Sequence, residues 1–142
     1  VVKMVYNQPS EMMGIPTLRF GFSPDLFGSV KEYPENQCYC QDTWEYCQKG
    51  GVVSLAPCIG GAPVFASRPH FMGAHKDFID GVVGMTPHGD YSSYADIEPH
   101  IGLPIKATLR IQINVELEPY ESMPSFASVP HVMFPLLWLE EA

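Results

Sequence analysis

The residues that decide the fold are Ile105-Lys106-Ala107-Thr108-Leu109-Arg110-Ile111-Gln112-Ile113-Asn114-Val115-Glu116-Leu117-Glu118. Apolar and polar side chains alternate through this stretch without a break. Successive side chains of a β-strand point to opposite faces, so the alternation predicts one long strand with an apolar face and a polar face. We expect the apolar face to be buried and the polar face to be solvated. A strand of this length is typical of a barrel or a large antiparallel sheet.

Weaker signals on both sides of this strand predict further β structure. Four short segments bounded by Gly or Pro have strand character, namely 17–22, 52–55, 63–67 and 132–139. Helix signals are brief: Ser23-Pro24-Asp25 can cap a turn or two over Leu26 and Phe27, and 74–79 indicates one more. The sequence therefore predicts a mainly β protein with short helices.

The composition fits one folded, loop-rich unit and excludes some partners. The 142 residues are 46% hydrophobic and include 14 Pro and 12 Gly, whereas disordered chains lack the apolar residues that offset ordering entropy. With 8 basic against 16 acidic residues, the chain has no basic patch for a phosphate backbone, so we expect no nucleic-acid partner. No apolar run reaches the roughly 18 residues that a membrane span needs. The longest run, 132–139, is strand-sized and contains Pro135.

Four cysteines, Cys38, Cys40, Cys47 and Cys58, lie close together in a segment without helical periodicity. Zinc sites usually present two Cys separated by two residues, whereas a single residue separates Cys38 from Cys40. The spacing suits two separate disulfides better, with a Cys40 to Cys47 bridge closing a small loop around Trp44. Disulfides imply an oxidising compartment.

No catalytic or metal-binding pattern stands out. The five histidines, His70, His75, His88, His100 and His131, lack metal-ligand spacing, and we expect structural or surface roles for them. Asp96 and Glu98 would share a face if 94–98 is extended, which formally offers a carboxylate pair for glycoside chemistry, but Pro99 follows at once. No Gly-x-Ser-x-Gly motif or phosphate loop occurs. We expect no enzyme activity, no cofactor and no metal.

Several segments together resemble the class B scavenger receptor family in order and spacing. They are Gly14-Ile15-Pro16-Thr17-Leu18-Arg19-Phe20, Cys38-Tyr39-Cys40, Cys47, Cys58, Gly61-Ala62-Pro63, Ser67-Arg68-Pro69-His70-Phe71, Gly84-Met85-Thr86-Pro87, Asp96-Ile97-Glu98-Pro99, Gly102-Leu103-Pro104, Arg110-Ile111-Gln112-Ile113-Asn114 and Pro135-Leu136-Leu137-Trp138-Leu139-Glu140-Glu141. Each motif alone is weak. The resemblance rests on their number and their order along nearly the whole chain.

The resemblance implies a fold and a place within a larger protein. It implies an irregular antiparallel β-barrel with short helices and an apolar tunnel, in an ectodomain held between two transmembrane helices. Residues 1–142 would be the C-terminal portion of that single ectodomain, with the upstream half and both helices outside this sequence. The resemblance also implies that Cys40 pairs with Cys47, and that Cys38 and Cys58 pair with cysteines upstream of Val1. Family ectodomains are glycosylated, yet Asn7, Asn36 and Asn114 have no Ser or Thr two positions on.

The implied function is a lipid receptor at the plasma membrane or the lysosomal membrane. Fatty acids, sterols or other hydrophobic ligands would pass through the tunnel, and lipoprotein or protein ligands would bind the upstream half. On this hypothesis the apolar side chains of the long strand line either the tunnel or the core; the candidates are Ile105, Leu109, Ile111, Ile113 and Val115. The alternative is an adhesion or targeting module that acts through protein contacts.

Overall fold

The computed structural model describes residues 2–40 and 44–142, and of Trp44 it describes the backbone only. Within these residues seven strands form one sheet: β1 (Met4–Met12), β2 (Ile15–Phe22), β3 (Val52–Ser54), β4 (Val64–Ser67), β5 (Tyr94–Ile97), β6 (Pro104–Leu117) and β7 (Val132–Glu141). The described helices are α1 (Trp44–Lys49) and α2 (Lys76–Asp80), with short 3-10 turns at Pro24–Phe27, Pro34–Tyr39, Ala56–Cys58 and Pro69–Phe71.

The long alternating strand, β6, is the centre of the sheet. The strand order is β1-β2-β5-β6-β4-β3, and β7 also pairs with β6. All of these pairings are antiparallel. Because β6 is longer than its neighbours, β5 pairs with its first part and β4 and β7 pair with later parts. The prediction of a mainly β fold is confirmed: the sheet curls into a half-barrel, and the helices are few and short.

The smaller elements follow local sequence signals with small shifts. The turn expected after Ser23 is the 3-10 turn Pro24–Phe27, which begins at the proline. Helix α2 begins at Lys76 because the ring Nδ1 of His75 accepts the backbone N–H of Asp77 at 3.3 Å. Strands β1 and β5 and helix α1 were not predicted.

Strand β1 forms a hairpin with β2 through an unusual turn. The two turn residues, Met13 and Gly14, have φ of 51° and 81°, which is the left-handed pair that a tight hairpin requires. Asn-Gly is the common sequence for this turn, whereas Met places a bulky residue at positive φ. The hairpin was therefore hard to recognise from the sequence.

The buried apolar core lies on one side of β3, β4 and β7. Val52, Phe65, Phe71, Phe78 and Met133 form the cluster, and Tyr46, Ala74, Ile79 and Met85 pack against it. Phe71 belongs to the turn Pro69–Phe71 and Phe78 to α2, so the segment that follows β4 folds back to cover this face of the sheet.

The expectation that β6 buries its apolar face and exposes its polar face is wrong for this chain. The buried side chains of β6 are Thr108, Gln112 and Asn114, whereas Ile105 and Leu109 are 40% and 42% exposed. The reason is that the turn Pro69–Phe71 packs on the polar face and donates a hydrogen bond to it: the amide oxygen of Gln112 accepts the backbone N–H of His70 at 2.8 Å. The alternation of apolar and polar residues does not by itself show which face of the strand another segment will cover.

A buried polar network replaces hydrophobic packing on that face. The side-chain amide of Gln112 donates to the Asn114 amide oxygen at 2.7 Å, and the amide of Asn114 donates to the Ser67 hydroxyl at 3.0 Å and to the Phe65 carbonyl at 3.3 Å. These bonds tie β6 to β4. The hydrogen bond from His70 to Gln112 joins this network to the turn, where His70 and Phe71 both have φ of 53°, a strained value for residues with side chains.

Candidate functional site

The face of the sheet opposite this network lines a cavity of about 320 Å³, which we call the sheet cavity. Its walls come from β1, β2, the turn Pro24–Phe27, β3, β4 and β6. Most of the lining is apolar and includes Phe22, Leu26, Phe27, Val53, Ala66, Leu109 and Ile111. Two arginines, Arg68 and Arg110, also line it. The cavity is thus an apolar space with positive charge in its wall.

A second cavity, of about 400 Å³, lies next to the first and borders the Cys40–Cys47 pair, so we call it the disulfide cavity. Tyr39, Tyr46, Val52 and Phe65 contribute apolar surface, and Asp25 and Glu35 contribute carboxylates. Val2, Leu26 and Val53 line both cavities, so the two share a wall. Each volume falls in the range of small-molecule sites, about 300–1,000 Å³.

Of the predicted tunnel or core residues, two line a cavity. Leu109 and Ile111 line the sheet cavity, while Ile105, Ile113 and Val115 are not among the described lining residues of either cavity. None of these five belongs to the buried core of the described residues. Ile105 and Leu109 are exposed, and the other three are half-buried. Among the described residues, the apolar face of β6 is therefore only partly covered.

The structure contains the disulfide that the resemblance implied. Cys40 and Cys47 are bonded, with their Cα atoms 6.0 Å apart, and the bridge joins the end of the turn Pro34–Tyr39 to α1. Cys38 and Cys58 are exposed free thiols in the described residues, so the second bridge that the spacing suggested does not form within them. Pairing of these two cysteines with upstream partners stays a prediction.

The carboxylates Asp96 and Glu98 are both engaged in structural contacts. Arg19 donates from Nε and from one terminal nitrogen to the two oxygens of Asp96, both at 2.7 Å, and these bonds hold the pKa of the buried Asp96 below its usual range. Glu98 accepts the backbone N–H groups of Ile101 and His100 and contacts the His100 ring, which likewise lowers its pKa. A glycosidase acid requires a raised pKa. Neither group suits that role.

One convergence of polar groups was missed from the sequence. The side chains of Glu116, Glu118 and His131 bring ligand atoms within 4.8 Å of one another at the end of the β6–β7 pair. His131 Nε2 lies 2.9 Å from Glu116 and 3.5 Å from Glu118, and the Tyr46 hydroxyl donates to the same Glu116 oxygen. Burial and this contact raise the pKa of Tyr46. Strand register brings the residues together, because Leu117 pairs with Val132.

Comparison with known proteins identifies the family. A sequence model described as the CD36 family matches residues 1–142. The chain belongs to the CD36 family. The resemblance to class B scavenger receptors, expected from the motifs, is thereby confirmed. Scavenger receptor class B member 1 of Mus musculus is 30% identical over 142 residues, which cover 99% of this chain and 27% of that protein.

Insect relatives are similar to the same extent. Sensory neuron membrane protein 1 of Anopheles gambiae is 34% identical and covers 96% of this chain, and the protein of that name from Pediculus humanus subsp. corporis is 36% identical and covers 96%. The chain spans about a quarter of the length of these CD36 family relatives. In the part of the chain that the structure describes, no helix is long and apolar enough to cross a membrane.

Proposed function

We propose that this chain is the C-terminal portion of the ectodomain of a CD36 family receptor, and that the apolar face of its β6 strand contacts hydrophobic ligands. The ligands are fatty acids, sterols or similar lipids, which the receptor takes from a carrier or lipoprotein and passes along this face. The observation that carries the proposal is the exposure of Leu109 and the half-exposure of Ile111 in the wall of an apolar cavity.

The energetics favour transfer without covalent chemistry. Burying an acyl chain contributes about 0.8 kcal/mol per methylene, so a cavity of this kind can extract a lipid and still release it. The name of the mouse relative contains the words scavenger receptor, and the insect relatives are named membrane proteins, which is consistent with such a role at a membrane.

The proposal also accounts for the apolar surface of β7. Leu136, Leu137 and Leu139 are each about half exposed, and Phe134 and Trp138 are exposed as well. Phe134, Leu137 and Leu139 pair with Val115, Ile113 and Ile111 of β6, so these three extend the apolar face of that strand. An exposed apolar surface of this kind marks a contact with another structure. Since the chain spans about a quarter of its relatives, the upstream part of the receptor is the partner we propose for β7.

The test is to block the cavity. Ile111→Trp adds bulk to the wall of the sheet cavity and should lower uptake of a fluorescent fatty acid several-fold in cells that express the complete receptor. Val83→Trp, which adds the same side chain at a fully exposed position, should leave uptake unchanged. Surface expression is measured for both variants. Equal uptake by Ile111→Trp and the wild type, at equal expression, would contradict the proposal.

Mass spectrometry of lipids extracted from the purified receptor separates this function from the adhesion module. A receptor that holds lipid should yield it in a stoichiometric amount. An adhesion module should yield none.

A further inference from the structure

The sheet cavity contains a positive charge that the described structure does not neutralise. Arg68, in the segment between β4 and the turn Pro69–Phe71, is half-buried, and its guanidinium lies 5.7 Å from the centre of the Phe27 ring. Both residues line the cavity. Among the described residues, the Arg68 side chain forms no hydrogen bond and no ion pair. Removing a charge from water without a partner is costly.

The other arginine of the cavity differs in this respect. Arg110 donates from Nε to Glu140 at 2.5 Å and from a terminal nitrogen to the Ser92 carbonyl at 3.0 Å. Its charge is matched within the sheet. The one carboxylate that acts on Arg68 is Asp90, through a longer-range attraction. Asp90 is exposed and accepts hydrogen bonds from Ser92, which are the main cause of its lowered pKa.

Burial lowers the pKa of Arg68 from its ordinary value, and the attraction of Asp90 opposes this only in part. A guanidinium nevertheless stays charged at neutral pH. The protein as a whole has a net charge of −8, so a cationic patch inside an apolar cavity is not a consequence of composition. The cavity combines what an anionic amphiphile requires, an apolar wall for the tail and a planar donor for the head group.

We propose that Arg68 binds the anionic head group of the lipid in the sheet cavity, so that this receptor prefers ionised lipids to neutral ones. The inference rests on the proposed function, because it assumes that lipid enters this cavity. The tail lies along Leu109 and Ile111, and the guanidinium donates to a carboxylate or a phosphate. Arg68 thus sets the head-group preference, while the apolar wall sets the affinity for the tail.

The experiment compares oleate with its methyl ester, which has the same tail and no charge. Binding of each to the purified complete receptor is measured by titration. The wild type should bind oleate at least about tenfold more tightly than methyl oleate, since one hydrogen bond to a charged group is worth about this factor. Arg68→Met should remove the preference by weakening oleate alone, and Arg68→Lys should keep part of it. Lys31→Met, at an exposed position outside the cavities, is the control.

Several results would overturn the inference. One is equal binding of oleate and methyl oleate by the wild type, which needs no variant to fold. Another is unchanged oleate affinity in Arg68→Met. A third is a lower melting temperature of Arg68→Met with its lipid preference intact, which would show that Arg68 instead pairs with an acidic side chain elsewhere in the receptor. Binding of neither lipid by the wild type would refute the proposed function itself. Oleoyl lysophosphatidate, run in parallel, shows whether phosphate serves as well as carboxylate.

Discussion

The two faces of β6 differ in a way that reverses the usual relation between polarity and burial. One face buries Thr108, Gln112 and Asn114, and hydrogen bonds connect it to β4 and to the turn Pro69–Phe71. The opposite face carries Leu109 and Ile111 and opens to a cavity. The hydrophobic effect favours the opposite arrangement for a strand that folds by itself. The polar face therefore contributes to holding the fold together, and the apolar face is left partly open, as the proposed contact with a lipid requires.

The largest effect on stability should come from the partly buried ion pair that joins β2 to β5. Asp96 is fully buried and receives both hydrogen bonds of Arg19, whose guanidinium also lies 3.9 Å from the centre of the Tyr94 ring. Asp96→Asn should lower the free energy of unfolding by about 3 kcal/mol, because it leaves Arg19 without its partner. Urea unfolding of the receptor measures the loss.

The matched control is Glu45→Gln, which removes a carboxylate from the exposed pair with Lys49. We expect it to change the free energy of unfolding by about 0.5 kcal/mol or less. Equal losses for the two variants would show that burial of the Asp96 pair has no special role.

The next largest effect on stability should come from the polar face of β6, and it is best measured against a variant of the apolar face. Asn114→Ala removes hydrogen bonds to Ser67, Phe65 and Gln112 and should cost about 2 kcal/mol. Leu109→Ala removes a larger apolar group from the open face and should cost less than about 1 kcal/mol, because its side chain is only partly buried. Chemical denaturation of both variants measures the two losses in the free energy of unfolding and shows which face contributes more to stability. A larger loss for Leu109→Ala would reverse our assignment.

The smallest effect is a dependence of stability on pH. Arg19 lowers the pKa of Asp96 in the folded protein below the unfolded value of about 3.9. The contribution of this group to stability is therefore fully present above that value and is lost as the pH falls toward the folded pKa. The stability difference between the wild type and Asp96→Asn should shrink below about pH 4. A difference that stays constant from pH 7 to pH 3 would argue against the ion pair.

Much of the fold could be predicted from the sequence, and the reasons are local. The alternation in 105–118 predicted β6, and Pro24 and His75 mark the starts of the turn and the helix that were expected. Strand β1 was missed because its hairpin turn is Met13-Gly14 rather than a common turn pair. Strand β5 is only four residues long and has little pattern of its own.

The site was harder to predict, because it depends on contacts between distant segments. The alternating pattern of β6 makes Leu109 and Ile111 candidates for the tunnel or the core. The structure adds that they line a cavity with Phe27 and Arg68. In the sequence Arg68 stands out only as part of the segment Ser67-Arg68-Pro69-His70-Phe71, because a lone arginine gives no sign that it will lack a partner. The exposure of the apolar face could not be predicted either, because burial is decided by segments that lie far away in the sequence.

The most direct test of the account is photo-cross-linking with a fatty acid that carries a diazirine in its tail. The complete receptor is loaded with this lipid and irradiated, and the labelled residues of β6 are identified by peptide fragmentation. We predict label on Leu109 and Ile111 and none on Gln112 and Asn114, although all four lie in one strand. Label on both faces alike, or label elsewhere in the receptor with none on β6, would contradict the claim that the open apolar face contacts lipid.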